Sequence, residues 1–197
     1  MRDVTGADLA YQVHPGHAEL VDEVIDWYDG VAAGLERTVI LQIADEFALK
    51  RPDGFRFRTA DEAGPEAAVQ AHIDAWAPST YTAESYEWVR RTPPYRGDLH
   101  VLVEAADGTM AASTIMWLDE ANKTAEFEPV GTHPGYRRLG LGRAMLLHGM
   151  HLARAAGASQ ATVACEGAPG HSRARSLYYS VGFREFTRDV PLIKAGS

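Results

Sequence analysis

The chain has 197 residues, enough for one large domain or one domain with an appendage, and its 46% hydrophobic and 23% charged residues are ordinary for a globular protein. A total of 19 Lys and Arg against 27 Asp and Glu leaves a net charge of −8, which argues against a nucleic-acid binder. The single cysteine, Cys165, excludes an internal disulfide, no apolar stretch approaches the roughly 20 residues that span a bilayer, and MRDVTGADLA lacks a secretory core, so a cytoplasmic protein with no membrane partner is expected.

The first fifty residues read as an amphipathic helix within Gln12 to Ala33, a strand RTVILQI (Arg37 to Ile43) and a short helix DEFALKR (Asp45 to Arg51). Phe55 to Thr59 then alternates like a half-buried strand. Pro65 to Trp76 reads as a helix with proline in its first turn, and Thr82 to Arg91 as a second helix stopped by Pro93 and Pro94. Leu99 to Ala105, Thr109 to Leu118 and Thr124 to Thr132 are three apolar strands joined by short polar turns, an antiparallel meander. A helix from Leu141 to about Ala156 follows, with Leu141, Ala144, Met145, His148, Leu152 and Ala155 on one face and Gly157 as its stop. Ala161 to Cys165 is a strand, Ser172 to Ser180 a helix, and FREFTRDVPL a last strand. Meander, helix, strand, helix and strand make a mixed α/β sheet.

The order His-Pro-Gly, helix, strand, short helix in Gln12 to Arg51 repeats the later order that starts at His133-Pro134-Gly135. Residues 1–53 therefore read as a degenerate partial repeat and 54–197 as the main domain. An unrelated helix and strand is the other reading. The early copy lacks the arginines of the later turn, so it should not bind the same ligand. Its apolar helix and strand are expected to pack on the main domain or on a second subunit, which admits a homodimer.

The later turn carries the chemistry. Arg137, Arg138, Leu139, Gly140, Leu141, Gly142 and Arg143 lie between a strand and a helix. The first N–H groups of a helix have no intrahelical partner and the macrodipole is positive there, so a polyanion such as a pyrophosphate fits. Gly140 and Gly142 let it approach the backbone, and the arginines add charge-assisted hydrogen bonds. A dinucleotide fingerprint would need a third glycine where Met145 stands, and a P-loop would need Gly-Lys-Ser/Thr; both fail.

Arg137 to Gly142 resembles the R/Q-x-x-G-x-G/A acetyl-coenzyme A motif of the GNAT N-acetyltransferase superfamily, and Ala174 to Phe183 (ARSLYYSVGF) is similar to that family's A-x-x-L-Y-x-x-x-G-F segment. The resemblance runs from about Phe55 to Val190, and the early segment then looks like the remnant of a first repeat, an organisation similar to tandem members such as mycothiol synthase. It implies a GNAT acyl-coenzyme A N-acyltransferase fold and transfer of an acyl group from acetyl-coenzyme A, or another acyl-coenzyme A, to the primary amine of a small molecule by direct attack. A fold that binds acyl-coenzyme A without catalysis and works through a partner is the alternative.

The resemblance also implies roles. The backbone of Val130, Gly131 and Thr132 would take the pantetheine arm, and the family's glutamate base corresponds to Glu126. Where the family often has Asn, a cofactor contact, this chain has His171. Tyr178 occupies the position of the general-acid tyrosine, with core packing as its other reading. Glu128, two residues beyond Glu126, shares its strand face and could raise its proton affinity. For either glutamate the alternative is a solvated strand residue. Pro129 marks a candidate bulge that parts the strand from its neighbour. Cys165 reads as a small hydrophobe, and His148 with His151 lacks a third ligand, so no metal is expected. Between the first strand and the meander lie Trp76, Tyr81, Tyr86, Trp88, Arg90, Arg91, Tyr95 and Arg96; these either clasp an acceptor that carries an anionic group or pack two helices together.

Overall fold

The computed structural model describes residues 37–41, 52–166 and 172–189. The helix expected within Gln12 to Ala33, the short helix expected at Asp45 to Arg51 and His171 lie outside them. The described strands are β1 (Arg37–Leu41), β2 (Phe55–Thr59), β3 (His100–Ala105), β4 (Met110–Asp119), β5 (Thr124–Thr132), β6 (Gln160–Glu166) and β7 (Arg184–Asp189). The helices are α1 (Ala60–Ala63), α2 (Pro65–Ala75), α3 (Ala83–Arg91), α4 (Leu141–Ala155) and α5 (Ser172–Ser180). They form one mixed sheet in the order β2-β3-β4-β5-β6-β1-β7. The expected α/β class and the meander are present: β2 to β5 pair antiparallel in sequence, and β5 pairs β6 in parallel.

β1 is far from its partners in sequence. It lies between β6 and β7 and pairs antiparallel with both, from Arg37 opposite Glu166 and Asp189 to Leu41 opposite Thr162 and Arg184. The strand expected at Arg37 to Ile43 thus runs inside the sheet rather than beside it.

Two cores flank the sheet. Beneath α4 and α5 are Val101, Val103, Met116, Phe127, Met145, Met150 and Phe183. Beneath α1, α2 and α3 are Ala68, Ala71, Tyr86, Leu102 and Met110. The buried stripe of α4 includes Leu141, Ala144, Met145, Leu147, Met150 and Ala153, whereas Ala155 is exposed and His148 and Leu152 are only half-buried. The helix is therefore rotated from the face read in the sequence. Its approach is close at Gly149, where a Cβ would stand 2.7 Å from Phe127 Cε1. Leu99, expected in β3, closes a short 3₁₀ turn instead, and α1 was not expected. It starts at a capping box in which the Thr59 and Glu62 side chains satisfy each other's backbone N–H groups. On the edge pair β2–β3, Glu104 accepts hydrogen bonds from Arg56 Nε at 2.9 Å and Arg58 Nη1 at 3.1 Å, tying the outermost strand to its neighbour.

One buried polar group stands out in the second layer. His100 is 3% exposed, with Nε2 3.1 Å from Ser113 Oγ and Nδ1 3.2 Å from Tyr95 Oη. Tyr95 Oη is in turn 2.6 Å from Tyr86 Oη. Burial, aided by nearby His72, lowers the imidazole from 6.5 to about 4. The unfolded chain therefore takes up a proton here that the fold refuses, so stability present above pH 6.5 is lost as pH falls toward 4. Between pH 7 and 5 this ring accounts for a loss of about 2 kcal/mol. His100→Gln is expected to be less stable at pH 7 yet to lose less on going to pH 5. Thermal melts of both proteins at the two pH values check this, and equal losses would contradict it.

Candidate active site

The site begins where two strands part. β5 and β6 are paired only over Thr124 to Glu126 against Gln160 to Thr162. Immediately beyond, the β4–β5 register shifts: Met116 faces Phe127 but Thr114 faces Val130, so Glu128 and Pro129 on β5 oppose the single residue Ile115. That is a β-bulge at the proline, which has no N–H for a ladder and suits the position. The bulge expected at Pro129 is present. Its carbonyl is not left unsatisfied, because Trp117 Nε1 donates to Glu128 O at 2.6 Å.

The parted strands border a cavity of about 610 Å³, lined by Trp76, Glu128, Pro129, Val130, Arg137, Ala164, Cys165, Arg173, Ala174 and Tyr178. A second cavity of about 660 Å³ has Arg137, Arg173 and Ala174 in its wall too, and continues past Thr132, Arg138, Gly140, Leu141, Gly142 and Arg143 to Leu177. The two shared arginines mark where the cavities meet. One end of this channel is cationic and the other holds a carboxylate and a phenol.

At the cationic end the turn is held by its own residues. Pro134–Tyr136 forms a 3₁₀ turn, Tyr136 Oη donates to Asp107 Oδ2 at 3.0 Å, and Arg137 Nε donates to the Thr132 carbonyl at 3.2 Å. Arg138 and Gly140 have φ of 71° and 79°, and the backbone then enters α4. The first bond into the helix runs from Ala144 N to Gly140 O, so the N–H groups of Leu141, Gly142 and Arg143 precede the helical ladder. A Cβ on Gly142 would meet Leu177 Cδ2 at 3.1 Å, so this glycine permits α5 to close on the turn. Open N–H groups, the helix dipole and the exposed side chains of Arg137, Arg138, Arg143 and Arg173 suit a polyphosphate. These residues fit a coenzyme A pyrophosphate. Arg173 escaped the sequence reading, although it lies one residue before the Ala174 motif.

At the other end the expected residues separate. Both glutamates are exposed, but Glu128 lines the cavity with Tyr178, whereas Glu126 stands on the paired part of β5, opposite Trp117 and Thr162. Tyr178 is 5% exposed and stands edge-on to Phe183, so it serves the core and the cavity at once. Burial foremost, then Cys165 and Glu128, push its phenol well above the ordinary value of 10. Of the aromatic segment, Trp76 alone enters the wall, and Trp88 is 64% exposed. Arg90 bonds Glu87 at 2.7 Å and Arg96 bonds Asp98 at 2.6 Å; with Arg91 they border a different hollow near Asp119 and Glu120. His148 stacks on Phe57 at 4.4 Å, and among the described residues no group of three or more His, Cys, Asp or Glu is disposed to hold a metal ion. No described helix is long and apolar enough to cross a membrane.

Comparison with known proteins agrees with this geometry. A family model described as the acetyltransferase (GNAT) family matches residues 65–183, more than half of the chain. Among solved structures, a GCN5-related N-acetyltransferase from Sphaerobacter thermophilus is similar with a TM-score of 0.65 at 18% identity, over 86% of this chain and 55% of that one. A tandem GNAT protein from the clavulanic acid biosynthesis pathway is similar with a TM-score of 0.63 at 14% identity, over 87% and 57%. The ribosomal-protein-S18-alanine N-acetyltransferase from Escherichia coli has a TM-score of 0.54 at 22% identity, over 68% and 79%. At these identities the likeness is one of fold. The chain thus spans little more than half the length of two of these proteins, and no curated protein matches it.

The two glycines of the turn have separable roles. Gly140 needs the left-handed region and meets nothing within 4 Å of an added Cβ. Gly140→Ala is therefore expected to lose about 1 kcal/mol through backbone strain alone, and Gly140→Asn less, since Asn tolerates that region. Chemical denaturation measures both; equal losses would show that space rather than φ selects the glycine.

Proposed function

The chain belongs to the acetyltransferase (GNAT) family, and we propose that it is an acetyl-coenzyme A dependent N-acetyltransferase acting on the primary amine of a small molecule. The observation that carries the reading is a pair of adjoining cavities that share Arg137, Arg173 and Ala174, one lined by cations and the start of α4 and the other by Glu128 and Tyr178. Leu141, Gly142, Arg143, Arg137, Arg138 and Arg173 would hold the pyrophosphate. Val130, Gly131 and Thr132, unpaired with β6, offer backbone groups to the pantetheine arm. An acyl-coenzyme A in the channel supplies an activated acyl carbon and a sulfur leaving group.

Glu128, rather than Glu126, is the base of this proposal, because it faces the same cavity as Tyr178. Its carboxylate accepts a proton from the acceptor amine, directly or through a water. Tyr178 donates a hydrogen bond to the departing sulfur and Trp117 steadies the bulge that carries Glu128. The arginines that the sequence offered for an anionic acceptor are engaged elsewhere, so the acceptor's recognition rests on Trp76 and the carboxylate. A repeat ancestry for residues 1–53, and an organisation like that of tandem members, accord with the likeness to a tandem protein. A non-catalytic acyl-coenzyme A binder is the other reading, and it gives no role to Glu128.

Acetyl-coenzyme A at 100 times its dissociation constant should stabilise the protein by about 2.7 kcal/mol. Arg138→Glu and Gly142→Trp should abolish the gain. No rise in melting temperature of the parent at millimolar cofactor would sink the proposal.

Thiol release over an amine panel should show Glu128→Gln lowering kcat by roughly 10²–10⁴-fold while Glu126→Gln stays near the parent. The reverse ranking would move the base back to Glu126. Trp117→Phe should lower kcat, since it removes the indole N–H that holds the bulge carrying Glu128.

A further inference from the structure

We propose that Trp76 sets the length of acyl group the site accepts: its indole closes the acyl end of the channel against Gly131, so that a two-carbon group fits and a longer one has to displace the ring. The inference rests on the channel being an acyl-coenzyme A site.

Trp76 follows directly on α2, its backbone N–H bonded to the His72 carbonyl at 3.2 Å. That cap swings the side chain across to β5. A Cβ built on Gly131 would lie 2.2 Å from Trp76 Cη2 and 2.6 Å from Cζ2 and Cζ3. The indole therefore lies directly on the strand backbone, and even a methyl group does not fit between them. This is the stretch, Val130 to Thr132, along which the cofactor's arm would run.

The ring is not loose. It stacks on His72 with centroids 4.5 Å apart, and His72 stacks on Tyr81 at 4.0 Å, a three-ring pile at the end of α2. Displacing the indole means breaking that stack. Trp76 also shares its cavity with both Glu128 and Tyr178, so it stands beside the place assigned to the reacting carbon. The same wall includes Ala164, Cys165 and Ala174, whose small side chains set no comparable limit. The indole is thus the bulky boundary on the acceptor face, and Gly131 is the residue that lets it come so close.

The test is binding of free coenzyme A and of acetyl-, butyryl- and hexanoyl-coenzyme A, by calorimetry, to the parent, Trp76→Phe, Trp76→Leu and Trp76→Ala. Because no acceptor is needed, the readout is independent of turnover. The parent should bind the hexanoyl thioester at least about tenfold more weakly than the acetyl thioester. Trp76→Ala should erase that ratio, with Trp76→Leu and Trp76→Phe between, each ratio being taken within one protein relative to its own binding of free coenzyme A. If Trp76→Ala does not fold, the same graded loss in the Leu and Phe variants decides the matter. An unchanged acetyl-to-hexanoyl ratio in variants that still bind free coenzyme A overturns the assignment to Trp76 alone. Failure of the parent to bind free coenzyme A would instead overturn the acyltransferase reading, and this inference with it.

Discussion

β5 and β6 share three residue pairs and then separate, and everything at the site follows from that separation. A parallel pair normally continues for as long as both strands stay extended. Here the bulge at Glu128 and Pro129 bends β5 away, because two residues must be accommodated opposite one. The cost would be an unsatisfied carbonyl in the sheet, and the Trp117 indole N–H removes it. Past the bulge, β5 has open backbone on one side, which is what an extended ligand needs in order to add itself to a sheet. The helix that follows β5 starts at the same end, so its N-terminus arrives beside the gap without further design.

Separation also ends the ladder on the β5-facing edge of β6 beyond Glu126 and Thr162. The opposite edge of β6 is held by a remote part of the chain. β1 pairs with β6 from Thr162 to Glu166, the same residues from which β5 has separated but on the opposite edge, and then hands the ladder on to β7. β1 therefore fixes this stretch of β6 in the sheet while the edge facing β5 stays open to the cavity. The N-terminal strand thus contributes to the wall of the channel by holding the backbone of Ala164 and Cys165 in place. This is a mechanical reason for residues near position 40 to bear on a site built from residues after 125.

Much of this was legible in the sequence. The meander showed because its apolar strands are separated by Asp-Gly and other polar turns, and the turn at Arg137 to Arg143 because backbone-driven anion binding needs glycine and charge close together in the chain. Tyr178 followed from a local pattern. What escaped depends on distant pairings. The choice between Glu126 and Glu128 turns on a register shift against β4, which no period along β5 records. Trp117 and Trp76 gain their importance from what they touch across the sheet. The place of β1 depends on its pairing between β6 and β7, strands more than a hundred residues away in the chain. The face of α4 was misjudged because Gly149, which counts for little in an apolar stripe, is where the helix comes closest to Phe127. The arginines after α3 carried charge toward the acceptor region in sequence, but neighbouring carboxylates claim Arg90 and Arg96.

In the proposed reaction the chemistry at the far end divides between Glu128 and Tyr178 for electrostatic reasons. A phenol whose proton is held more tightly by burial and by a neighbouring carboxylate is a poor donor of that proton to a thiolate, whose conjugate acid has a pKa of about 8.5. Complete transfer would leave a tyrosinate buried in the core wall of the cavity, where desolvation penalises its charge. A shared hydrogen bond carries no such penalty and still lowers the charge on sulfur. In the proposed reaction Tyr178 therefore works best by keeping its proton, and the carboxylate that tightens the phenol's grip is the group that takes the proton from the amine. Once Glu128 is protonated its part in that shift falls away, while burial, the largest cause, still favours the phenol that keeps its proton.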